Sequence, residues 1–198
     1  MEEHDKKMDL RTSEIDPMTD PSTGLHTPRY FNRQLEVEIK RAERYLHPLS
    51  LILTEIDPHG SGPGWEEGSG GGTLLVQVGA LLKSSTRETN LVSRYGSRGF
   101  SILLPETAGR LAAKAAIRLR RVVQKGPVSP DPLLSGRALT ISVGIASFPW
   151  DASDVEELIH HAGEALRHAK RLGGNRIYWY GISGFTFRLP VDKKRAAE

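Results

Sequence analysis

Cysteine is absent from all 198 residues, which excludes disulfides and thiolate metal sites and fits a cytoplasmic setting. No apolar run approaches the ~20 residues that a membrane helix needs, so no inserted span is expected. The opening residues Met1-Glu2-Glu3-His4-Asp5-Lys6-Lys7 carry acids and no apolar stretch, and do not read as a secretory signal. Charge of one sign is also lacking: 27 Lys and Arg against 24 Asp and Glu leave +3, too mild a surplus to indicate a nucleic-acid partner. What is there, 38% hydrophobic and 26% charged residues, is the composition of an ordinary globular protein. The length suits one domain with tails.

Three parts are expected: a polar tail or linker helix (residues 1–19), a folded domain (20–181) and a basic C-terminal tail (182–198). Over residues 28–47 the apolar positions Phe31, Leu35, Ile39, Ala42 and Leu46 recur at threes and fours, with Thr27 placed as N-cap and Pro28 at the first helical position. That predicts an amphipathic helix. Residues 49–56 read as a buried strand, and residues 57–72, with seven glycines and two prolines, as a loop. Helical spacing resumes over 73–85, a hairpin follows, and a second long helix is expected over 108–125. After a Pro/Gly/Ser-rich loop (126–136) come a strand (138–148), a helix (155–172) and a last strand (176–180). Helices alternate with strands but hairpin connections interrupt them, so the sheet should be mixed or mainly antiparallel with helices packed against it.

The hairpin is the most telling stretch. In Arg94-Tyr95-Gly96-Ser97-Arg98-Gly99-Phe100-Ser101-Ile102-Leu103-Leu104-Pro105 two apolar or β-branched runs flank glycines able to supply a tight turn. It follows Asp20-Pro21-Ser22-Thr23-Gly24-Leu25 and Leu49-Ser50-Leu51-Ile52-Leu53-Thr54-Glu55-Ile56-Asp57. It precedes Leu139-Thr140-Ile141-Ser142-Val143-Gly144-Ile145-Ala146, then Ala165-Leu166 with Ala169-Lys170, Gly173 and Asn175. In this order and spacing, residues 20–180 resemble a GGDEF domain, the family of bacterial diguanylate cyclases and their inactive relatives. The resemblance implies an α/β (α+β) fold of the nucleotidyl-cyclase palm type, with a central, mainly antiparallel five-stranded sheet flanked by helices.

Active members of that family condense two GTP molecules into cyclic di-GMP, using paired divalent metals held by a carboxylate ending the first strand and an acid in the signature turn. Carried over position by position, the first carboxylate is Glu55, with Asp57 beside it. The signature is filled by Gly96, Ser97, Arg98, Gly99 and Phe100. A guanidinium thus stands where the metal-binding acid is expected, and it cannot ligate a cation. The family's lysine, asparagine and aspartate after the first strand fall at Gly60, Pro63 and Gly72. Lys170 keeps the position of a phosphate-contacting lysine, whereas Gly174 replaces a neighbouring arginine. The expectation is an inactive domain with its magnesium site lost, no cofactor and no metal.

The resemblance also implies an inhibitory cyclic di-GMP site, here Arg87, Asn90 in place of an aspartate, and Arg118. A cationic stripe of Arg110, Lys114, Arg118, Arg121 and Lys125 accompanies it at helical spacing, open to three readings: a solvated face, a dinucleotide contact or a surface for an acidic protein. The expected function is a signalling scaffold for an unidentified signalling protein; the alternatives are a cyclic di-GMP receptor, or residual GTP binding and cyclase activity. Nucleic acid and membrane insertion are not expected, and a homodimer is left open. The loop at 60–72 lacks the Lys-Ser/Thr ending of a phosphate-binding P-loop, and Trp65 within it has no assigned role. His160, His161 and His168 read as ordinary helix histidines. Last, Arg98 is expected to pair with Glu55 or Asp57, filling the former metal site.

Overall fold

A computed structural model describes residues 18–57, 71–126, 139–181 and the backbone of 186–188. Its elements are α1 (Pro28–Tyr45), β1 (Leu49–Ile56), α2 (Gly71–Ser84), β2 (Leu91–Tyr95), β3 (Gly99–Pro105), α3 (Gly109–Lys125), β4 (Ile141–Phe148), α4 (Val155–Arg171), β5 (Ile177–Tyr180) and β6 (Thr186–Arg188). The predicted order holds, with small changes at the ends. The helix expected to 47 stops at Tyr45, where Leu46 takes φ 54°, and Gly72, expected in a loop, lies in the first turn of α2.

Local chemistry sets these limits. The Thr27 hydroxyl accepts the Tyr30 amide at 3.3 Å, with Pro28 following, so α1 begins where an orphan amide is satisfied. At α4 the Asp154 carboxylate accepts the Glu157 amide at 2.8 Å while Glu157 reaches back to the Ser153 amide at 2.9 Å. Acids in this first turn also suit the helix dipole.

The strands form one sheet in the order β2-β3-β1-β4-β5-β6. The five expected strands run from the β2 edge to β5, antiparallel except for the parallel pair β4/β5. β6 is an addition: residues 186–188, within the stretch expected to be a tail, pair antiparallel with β5. Strand alternation divides the core. Ile52, Ile56, Phe100, Ile102, Ile141, Val143 and Ile145 pack with α2 and α3, whereas Leu49, Leu51, Leu53, Ala146 and Phe148 pack with α1 and α4. The domain is therefore a sheet covered by helices on both faces. In the register, Glu55 stands opposite Gly99, which brings the end of β1 to the β2–β3 turn.

Candidate functional site

The site lies where β1 ends beside the hairpin. The Ile56 amide donates to the Arg98 carbonyl at 3.1 Å, so the turn is held to the strand by backbone. Glu55 shares the face of Leu51 and Leu53 by strand periodicity, the side covered by α4, and Lys170 descends onto it from that helix. Lys170 Nζ is 2.5 Å from Glu55 Oε1, and Arg98 Nε lies 3.9 Å from the same oxygen. Both cations thus converge on one carboxylate oxygen. The Arg98 and Lys170 side chains are 36% and 33% exposed, so water screens the pairs, and each contributes about 0–1 kcal/mol.

Of the two partners expected for Arg98, Glu55 is the one it meets. Asp57 turns elsewhere. Its carboxylate accepts Ser142 Oγ at 2.5 Å, Thr140 Oγ1 at 2.8 Å and the Asn175 amide at 2.7 Å, and the residue is 6% exposed. Buried Arg120 joins this cluster through the Asn175 side chain. Burial, then Arg121, pull the Arg120 pKa below the usual guanidinium value, with Asp57 opposing. Asp57 therefore ties β1 to β4 and to the turn before β5, and does not share the Glu55 site.

Two glycines at family positions are tightly enclosed. A Cβ added at Gly99 would come within 2.6 Å of the Tyr95 carbonyl and 2.8 Å of the Thr54 carbonyl. At Gly174, with φ +73°, it would stand 2.8 Å from Asp57 Oδ1, the oxygen that accepts the Ser142 hydroxyl. A side chain at either position requires its surroundings to move.

Arg94 was not singled out by sequence reasoning, yet it organises the turn. Its guanidinium donates to the carbonyls of Gly99 at 2.7 Å and Ser97 at 2.8 Å and lies 5.3 Å from the Phe100 ring centroid. The available signal was an arginine next to a turn rich in unpaired carbonyls. Asp20 accepts Ser22 Oγ at 2.6 Å, Thr23 Oγ1 at 2.6 Å and the Thr23 amide at 2.9 Å. Burial opposes its ionisation, but those hydrogen bonds, aided by Arg94, outweigh it and hold its carboxyl below the usual range. The Asp20–Leu25 motif is thus a structural turn that seats Leu25 in the core.

The remaining expected positions fall apart from this centre. Arg87 and Asn90 close a turn after α2, the Asn90 amide donating to the Arg87 carbonyl at 3.0 Å. Arg118 is exposed on α3, as are Arg110, Lys114, Arg121 and Lys125. Gly60, Pro63 and Trp65 lie outside the described residues. His161 bonds the Asp151 carbonyl at 2.5 Å and stacks on Tyr180 with centroids 3.8 Å apart; His168 meets Tyr178 edge-on. Among the described residues no group of three or more His, Cys, Asp or Glu side chains is placed to hold a metal ion.

Residues 17–176 match the profile described as diguanylate cyclase, GGDEF domain. The response regulator PleD of Caulobacter vibrioides is 32% identical over 163 residues, covering 81% of this chain and 35% of PleD. The diguanylate cyclase DosC of Escherichia coli is 32% identical over 161 residues, covering 80% of this chain and 34% of DosC. The chain thus spans about a third of the length of these curated relatives. Among solved structures, the diguanylate cyclase SiaD of Pseudomonas aeruginosa, in complex with its activator SiaC, superposes with a TM-score of 0.72 at 26% identity, covering 82% of this chain and 61% of that one. The GGDEF domain of TpbB (YfiN) from the same organism gives 0.73 at 24% identity, covering 84% and 96%, a likeness of fold alone.

Proposed function

The chain belongs to the GGDEF-domain family of diguanylate cyclases, and on that premise we propose that it works in bacterial signalling without the family's chemistry, presenting its surface to a protein partner. The observation that carries this reading is the convergence of Arg98 and Lys170 on Glu55 Oε1. A divalent cation at Glu55 would have to displace Lys170 and would stand beside a guanidinium that repels it and cannot deprotonate. Asp57 offers no second ligand there, because its oxygens accept three donors belonging to β4 and the turn at Asn175. On this reading the donor set does not fit the paired metals of the family. The surroundings of Gly174 support it further, since a side chain such as the arginine that the family resemblance implies there would press on the Asp57 carboxylate.

A protein partner is favoured because the fold rests on apolar packing independent of the Glu55 site, so a domain without the chemistry still offers a stable surface. SiaD, known in complex with its activator SiaC, gives that role a parallel. A second reading, a cyclic di-GMP receptor, is favoured by the exposure of Arg87 and Arg118, whose guanidiniums suit forked and stacked contacts with guanine. Asn90 supplies a neutral amide where the resemblance implies a carboxylate. Calorimetry addresses both: Mn²⁺ titrated to ~1 mM should give no saturable heat, and cyclic di-GMP at ~100 µM reports any micromolar site. Saturable Mn²⁺ binding abolished by Glu55→Ala would overturn the metal-free reading. Cyclic di-GMP heat abolished by Arg87→Ala would make the receptor reading primary.

A further inference from the structure

We infer that the exposed face of α3 is a docking surface for an acidic amphipathic segment of a protein partner, a step that rests on the protein-interaction reading above and names the chemistry of its partner. Lys114, Ile117, Arg118, Arg121, Val122 and Lys125 line a shallow open pocket of about 270 Å³. At 3.6 residues per turn these positions fall within an arc of roughly 140°, with the cations central and Ile117 and Val122 at its two edges. The surface therefore offers apolar contact flanked by positive charge.

Three of its cations are without an acidic partner among the described residues. Neither α2 nor α3 contains a carboxylate, and Lys114, Arg118 and Lys125 have no ion-pair partner among the described residues. Lys114 and Arg118 are like-charge neighbours four apart, an arrangement that weakens a helix when nothing opposes it. By contrast α1 and α4 intersperse acids with their bases: Arg41 pairs with Glu38 at 3.7 Å and Arg167 with Glu164 at 3.9 Å. A merely solvated face would gain from the same mixing, so the segregation on α3 points to an external anion. The pocket selects its class. Nucleic acid would use aromatic or amide side chains beside the bases, and the pocket lining has neither. A peptide helix bearing leucines among glutamates fills both the apolar edges and the cationic centre. The apolar edges Ile117 and Val122 give a dinucleotide's phosphates nothing to meet, whereas the leucines of such a helix pack on them.

The test uses the full chain and a fluorescent synthetic helix of about 18 residues, with leucine at every third or fourth position and glutamate at most others. Controls are a peptide of the same composition in shuffled order and a duplex DNA of equal charge. The surface predicts a Kd on the order of 10 µM at ~50 mM salt, weakened at least tenfold in a Lys114→Glu/Lys125→Glu variant whose melting temperature matches the wild type. Arg118 is left intact so that dinucleotide binding is not altered. Equal binding by the shuffled peptide or the DNA, or unchanged binding by the variant, would overturn the inference. Co-purification from native cells separates it from the premise. A native partner retained equally by the variant refutes this surface and leaves the interaction role standing, whereas a wild-type chain that retains no protein refutes that role.

Discussion

Single carboxylates in this domain have opposite fates. Asp151 is buried, accepts the Trp179 indole N–H at 2.6 Å and the Ser147 amide at 2.9 Å through Oδ2, and leaves Oδ1 without a hydrogen-bond partner. Burial pushes its pKa up from 3.8 against the hydrogen bonds of Trp179 and Ser147 and the charge of His161. Ionisation is thus harder in the folded state than in the unfolded one. A group raised in this way contributes its stability in full below the unfolded value, and that contribution is lost as pH rises through the folded one. Asp151→Asn carries no such titration while keeping an acceptor for Trp179. In urea melts from about pH 4 to pH 7, wild-type stability should therefore fall relative to the variant as pH rises. A difference that stays flat, or moves the other way, would contradict the raised value.

At the scale of elements, the β2–β3 hairpin is built around the absence of a side chain at Gly99. A Cβ there would press on two backbone carbonyls in neighbouring strands, which cannot yield as a flexible side chain would. Gly99→Ala should cost about 1–3 kcal/mol in chemical denaturation, whereas Ser97→Ala, on the exposed turn, should fall within about 0.5 kcal/mol. Equal effects would show that the turn accommodates a side chain after all.

The same hairpin shows how much was legible in sequence. Its strands, and those of β1 and β4, could be read because apolar runs end at glycine or proline, and the helices because Thr27 and the apolar periodicity mark them. The Arg98–Glu55 pair was legible from the family register. Lys170 on the same oxygen was not, since only the packing of α4 over the end of β1 brings residues 55 and 170 together. Asp57 was not legible for the same reason: the family register set it beside Glu55 as a partner for Arg98, but its donors Thr140, Ser142 and Asn175 come from distant chain segments. β6 escaped because three residues, Thr186 to Arg188, give too short a pattern to separate strand from tail.

For the whole molecule, two cores either side of one sheet hold the domain together, and neither depends on the Glu55 site. The fold can therefore stand with Arg98 in the signature turn, and on the proposed reading its surfaces, α3 foremost, are what a partner meets. The most direct test is turnover: the full chain at about 100 µM incubated with GTP and Mg²⁺ or Mn²⁺, the nucleotides separated by chromatography and compared with a protein-free control. The account predicts no cyclic di-GMP and no linear dinucleotide above that control. Steady production that scales with protein concentration and disappears in Glu55→Ala would contradict it.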